Sequence, residues 1–66
     1  MAKYNLTARK LIKILNNHSF HFIRQNGSHA LNKNFRTNRK VIVPIHNKDI
    51  PKGTVKAILR DADINI

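Results

Sequence analysis

An α+β fold in the order helix, strand, strand, strand, helix is predicted by three features of this sequence. Segments near either end repeat apolar residues at helical spacing. Between them lie runs rich in aromatic and β-branched residues. An Asn-Gly pair stands between the first two of those runs, a hairpin signal. The chain has 66 residues, enough for one domain spanning 1–66. The economical arrangement packs both helices on one face of a three-stranded antiparallel sheet and leaves the other face to water or a partner.

The first element is a helix over Thr7–Asn17 with Thr7 as its cap. Ala8, Leu11, Ile12 and Leu15 form its apolar stripe; Arg9, Lys10, Lys13 and Asn17 lie away from it. Asn16–Ser19 are poor helix formers and end it. A strand over Phe20–Gln25 follows, with Phe20, Phe22 and Arg24 on one side by simple alternation and His21, Ile23 and Gln25 on the other. Phe20 and Phe22 are expected in the core. Asn26-Gly27 then turns the chain into Ser28–Lys33, where His29, Leu31 and Lys33 share a side. Asn34–Asn38 reads as a loop carrying the lone aromatic Phe35. The third strand is Lys40–Ile45, with Pro44 marking an edge position or the strand's end. After a loop at 46–49, Pro51 or its neighbour opens the last helix, whose stripe is Val55, Ile58, Leu59 and Ala62. No Gly closes that helix, so Asp63 would have to take any left-handed position there. Residues 1–6 read as a short arm.

Charge narrows the function. Thirteen Lys and Arg face three Asp and no Glu, a formal net charge of +10. Self-repulsion at that density opposes folding, and a polyanionic partner relieves it. A domain this short buries only about 60% of the surface its unfolded chain exposes, so a partner that covers apolar surface also adds stability. There is no Cys, which excludes disulfides and thiolate metal sites and permits a reducing, cytoplasmic setting. No apolar run approaches the ~20 residues of a spanning helix, and no secretory leader is evident; a membrane partner is not expected. His18 and His21 are spaced i, i+3, but two histidines without a carboxylate make a poor metal site.

Three blocks carry a resemblance. Arg24-Gln25-Asn26-Gly27-Ser28-His29, Pro44-Ile45-His46 and Gly53-Thr54-Val55-Lys56-Ala57-Ile58-Leu59 stand in an order and spacing similar to the HicA toxins of toxin–antitoxin pairs, from Thr7 to about Ile64. The resemblance implies a double-stranded-RNA-binding-domain-like fold, a ribonuclease that cleaves mRNA and halts translation, a HicB-like antitoxin partner, no metal or organic cofactor, and a functional histidine at His29. Two departures stand out. Ser19 precedes the first strand where the family tends to have Gly, and Ala62-Asp63-Ile64 replaces Ala-Gly before an apolar residue.

RNA carries its own nucleophile, the 2′-hydroxyl, so a single imidazole can promote cleavage as general base or acid. His29 is the candidate catalytic residue, and His46 the candidate second proton-transfer group. Arg24, Ser28, Lys33, Arg36, Lys40, Lys10 and Lys13 are candidate RNA-binding residues, with Arg24 able to orient the phosphate. Phe35 is a candidate base platform or partner anchor, unless it folds back on the core. The competing readings are a non-catalytic RNA-binding module and a structural component of a ribonucleoprotein particle; composition and fold serve these equally well.

Overall fold

The computed structural model describes residues 6–45 and 49–65. Two helices, α1 (Ala8–Asn17) and α2 (Lys52–Asp61), flank three strands, β1 (Phe20–Asn26), β2 (His29–Asn34) and β3 (Arg39–Pro44). The strands form an antiparallel meander in the order β1-β2-β3, as expected of a double-stranded-RNA-binding-domain-like fold. Each helix presents its apolar stripe to one face of this sheet. Leu11, Leu15, Val55, Ile58 and Leu59 meet Phe20, Ala30, Val41 and Val43 in a single core.

Helix α1 begins where the Thr7 hydroxyl accepts from the Lys10 N–H at 3.2 Å, satisfying one of the donors a helix start leaves unpaired. It ends at His18, followed by Ser19 at φ +71°. Helix α2 starts at Pro51, which stands at the cap itself, outside the first turn, and offers no side-chain cap bond. Its end is a Schellman closure: Asp63 N–H donates to Arg60 O, Ile64 N–H donates to Leu59 O, and Asp63 sits at φ +62°. Ile64 is buried against the core, the apolar contact that accompanies this motif. Asp63 thus occupies the left-handed position despite its Cβ. Both departures from the family pattern, Ser19 and Asp63, fall on left-handed backbone, where glycine is the least strained residue.

Three readings of the sequence are corrected by the coordinates. Ile23 is an extra residue in β1: the pairing runs Phe22↔Asn32 and then Arg24↔Leu31. This bulge reverses the parity beyond it, so Arg24 joins the face of His21, and Gln25 joins that of Phe20. The hairpin turn lies one residue later than Asn26-Gly27. Asn26 pairs with His29, and Gly27-Ser28 form the turn with only Gly27 at positive φ, the pattern of a type II′ connection. Phe22 is 51% exposed rather than buried, because it stands on an outer strand of the sheet.

Long-range ties complete the fold. Leu6, the last residue of the expected arm, bridges to Ile50, which is fully buried; the rest of that arm lies outside the described residues. The Ile45 N–H donates to Ser28 O at 2.7 Å, joining the hairpin tip to the end of β3. Arg39 Nη1 donates to the Asp61 carbonyl at 3.2 Å, placing a cation at the C-terminus of α2.

Candidate functional site

The uncovered face of the sheet is a grid set by strand register. Residues directly paired across neighbouring strands share a face. The first row holds Asn26, His29 and Pro44; the second Arg24, Leu31 and Ile42; the third His21, Lys33 and Lys40. Arg24, Asn26, His29, Leu31 and Ile42 line one open groove of ≈ 390 Å³. Its floor is apolar, with Ile42 53% exposed, and its rim carries an imidazole, an amide and a guanidinium.

Each rim residue has a local cause. His29 opens β2 immediately after the turn, so its backbone is held by Asn26 on one side and Pro44 on the other, while its side chain stays exposed. The turn is braced by Gln25, whose Nε2 donates to Gly27 O at 3.0 Å. Arg24 reaches this face only because Ile23 bulges out of register. It is diagonal to His29, a relation that puts Cβ atoms ~7 Å apart, close enough for both side chains to address one phosphodiester.

A second cluster sits at the far end of the grid. The His21 and Phe35 ring centroids lie 5.9 Å apart at a 47° tilt, and Lys33 Nζ lies 5.0 Å from the Phe35 centroid. Phe35 is 63% exposed and does not fold back on the core. Arg36 is the next residue of the same turn and is also exposed, and Lys40 is exposed in the Lys33 row.

The remaining candidates lie elsewhere. Lys10 and Lys13 are on α1, behind the sheet, where with Arg9, Ile12, Asn16 and Ile45 they line a separate groove of ≈ 800 Å³. Ser28 is in the turn beside His29 and outside the first groove's lining. His46 lies outside the described residues. His18 and His21 do not converge: His18 Nδ1 bonds the Ile14 carbonyl at 2.9 Å, and His21 faces Phe35. Among the described residues no three His, Cys, Asp or Glu side chains gather into a group suited to a metal ion. Asp49, Asp61 and Asp63 all lie off the strands, so no residue of the grid itself carries a carboxylate.

Sequence reasoning missed two residues here. Asn26 looked like turn material; it belongs to the His29 row because Gly27, rather than Asn26, takes the first central position of the turn. Asn34 reads as a loop residue from the sequence, yet it ends β2, is buried, and bonds three partners. Its Oδ1 accepts from Arg36 N–H at 2.8 Å and Thr37 N–H at 3.2 Å, and its Nδ2 donates to His18 O at 3.2 Å. The Asn-x-x turn signal was visible; the contact with His18, sixteen residues away, was not.

A family model described as "HicA toxin of bacterial toxin-antitoxin" matches residues 8–64. No curated protein matches the chain.

Proposed function

The chain belongs to the HicA family of toxins from bacterial toxin–antitoxin pairs, and from that premise we propose that it is an endoribonuclease that cleaves mRNA at His29. One observation supports this above the rest: the Ile23 bulge turns Arg24 onto the same open, carboxylate-free groove as His29. Arg24, His29 and Ile42 are exposed, so none of the described residues has to move aside for a polynucleotide to reach this groove.

The chemistry follows from that pairing. His29 accepts the proton of the ribose 2′-hydroxyl, and the freed oxygen attacks the adjacent phosphorus. The bond from phosphorus to the 5′-oxygen breaks, that oxygen takes a proton, and a 2′,3′-cyclic phosphate and a 5′-hydroxyl result. Arg24 balances the charge that grows on the phosphoryl oxygens, the kind of fixed electrostatic aid that is worth most when it is already in place. The proton for the leaving oxygen comes from His46 or from water. No metal enters this scheme. Lys33 and Lys40 track the backbone beyond the groove, with Arg36 at its far end. Ser28 supports the turn beside the reacting linkage, and Lys10 and Lys13 add to the long-range field from behind the sheet. The reaction takes place in the cytoplasm, where mRNA is found; no helix among the described residues is long and apolar enough to cross a membrane. A HicB-like antitoxin silences the toxin by covering the His29 groove with acidic side chains.

Two experiments test this reading. RNA incubated with the protein in excess chelator should be cut, and a single 2′-O-methyl group at the scissile nucleotide should block that cut while binding persists. RNA that stays intact while bound overturns the nuclease reading in favour of a silent binding module. Co-expression with the neighbouring gene product should yield a complex that no longer cuts RNA; failure to co-purify counts against the antitoxin claim.

A further inference from the structure

We infer that Phe35, braced by His21 and Lys33, is a stacking platform for one unpaired nucleobase of the RNA strand whose phosphodiester lies at His29. This rests on the nuclease reading above and adds to it a specificity-determining contact and a preference for single-stranded substrate.

Phe35 is the most exposed of the large apolar residues among those described, at 63%. Leaving such a ring in water forgoes burial worth a few kcal/mol, and the core gains nothing from it. Yet the turn that carries it is firmly built. Asn34 Oδ1 holds the Arg36 and Thr37 N–H groups, the Asn38 N–H donates to Asn34 O at 2.7 Å, and the Arg39 N–H donates to Thr37 Oγ1 at 3.3 Å. Asn38 takes φ +66° to close the turn. The Lys33 ammonium lies over one face of the ring, 5.0 Å from its centroid, and the His21 ring stands tilted 5.9 Å away; at 63% exposure the ring still offers the area a base needs. A preorganised ring of this kind binds with little loss of side-chain freedom.

Charge selects the occupant. Phe35 adjoins His21 and Lys33, Lys40 is paired with Lys33, Arg36 follows in the turn, and no strand residue carries a carboxylate. A flat π-face beside a cation suits a nucleobase with its phosphate, since aromatic stacking accepts any base and the cation neutralises the linkage. An apolar protein segment would gain from the ring but not from the lysines, and acidic side chains would gain from the lysines but not from the flat ring.

The spacing fits one strand. From His29 to Lys33 is four residues of β2, about 13 Å at the rise of a strand. That is no more than about four nucleotides at the ~3.4 Å spacing of a stacked strand, and fewer for an extended one. A base on Phe35 therefore belongs to the same short single-stranded segment as the cleaved bond. A duplex keeps its bases stacked on each other and cannot offer one.

The test uses a 2′-O-methyl single-stranded oligonucleotide, which cannot be cut by the proposed route, and a set of the same strands with one base removed at each position in turn. Fluorescence anisotropy reads binding to the whole protein. Phe35→Ala should weaken binding about five- to hundredfold, the range spanned by one stacked base, and Phe35→Leu should weaken it nearly as much. Phe35→Trp should preserve binding. One abasic position within four nucleotides of the cleavage site should cost the unmodified protein the same factor and cost Phe35→Ala nothing. Thermal melts of the variants should match the unmodified protein, since the ring has no core role. Unchanged oligonucleotide binding by Phe35→Ala, with His29-dependent cleavage intact, overturns the platform and leaves the nuclease reading standing. Phe35→Ala or Phe35→Leu releasing the co-expressed partner protein while sparing oligonucleotide binding makes the ring a partner anchor and also overturns it. A protein that neither binds nor cuts RNA overturns both.

Discussion

Asn34→Ala should destabilise the whole domain, although the residue sits at the mouth of a loop. Its side chain makes three hydrogen bonds, two accepted from the turn it closes and one donated to the His18 carbonyl at the α1–β1 junction. At ~0.5–1.5 kcal/mol for each net bond, their loss costs about 2–4 kcal/mol. A chain of this length has a total stability of roughly 3–10 kcal/mol, so the loss is a large share. The melting temperature should fall by roughly 8–32 °C, given ~4–8 °C per kcal/mol for a domain this small. Asn34→Asp separates the two halves of the effect. It keeps both acceptor bonds and loses only the donation to His18, so it should cost about 1–2 kcal/mol. Urea titration followed by far-UV circular dichroism measures both. If both variants lie within about 0.5 kcal/mol of the unmodified protein, below the worth of one such bond, the network does not hold the turn as described.

Three further outcomes follow from particular residues. Ser19→Gly and Asp63→Gly should each stabilise the domain, because both sites are left-handed and a Cβ there costs about 1–2 kcal/mol. Offset by the greater freedom of glycine in the unfolded chain, the net gain is about 0.5–1 kcal/mol, and smaller at Asp63, since Asp tolerates this region better than Ser; melts that show no gain at Ser19 contradict the strain. Asn32→Leu should also stabilise, by about 0.5–2 kcal/mol in urea titration, because removing the buried Oδ1, which has no partner among the described residues, outweighs losing the Nδ2 donation to Ala30 O at 3.2 Å; a loss of stability contradicts that balance. Arg24→Ala should lower the rate of RNA cleavage by about 10²-fold or more, with Arg24→Lys recovering only part, since a point charge does not replace a planar fork. A rate that survives Arg24→Ala removes the bulge from the mechanism.

Most of the fold was legible because it rests on local patterns. The stripes of α1 and α2 contain the residues that are buried, Thr7 caps α1 as its hydroxyl suggests, and the alternation in β2 matches its burial. The features that local pattern does not carry depend on pairing between segments. A bulge cannot be read from β1 alone, because Ile23 is extra only relative to β2, and so simple alternation puts Arg24 on the wrong face. The turn slipped by one residue because two hairpin types compete at Asn26-Gly27-Ser28, and strand register chooses between them. The Leu6–Ile50 bridge joins segments that carry no local sign of each other. For the candidate site, the family resemblance points to His29, and charge near it points to Arg24. Their placement on one groove required the register, as did the company of His21 and Lys33 around Phe35.

The most direct test of the account is cleavage of one RNA, without metal, by the protein and by its His29→Ala variant under conditions where both bind that RNA equally. A positioned proton-transfer group contributes about 10²–10⁴-fold, so the variant should be slower by that factor while its melt and its affinity stay unchanged. Equal cleavage rates would show that the imidazole takes no part in breaking the bond, and the groove around it would lose its assigned chemistry.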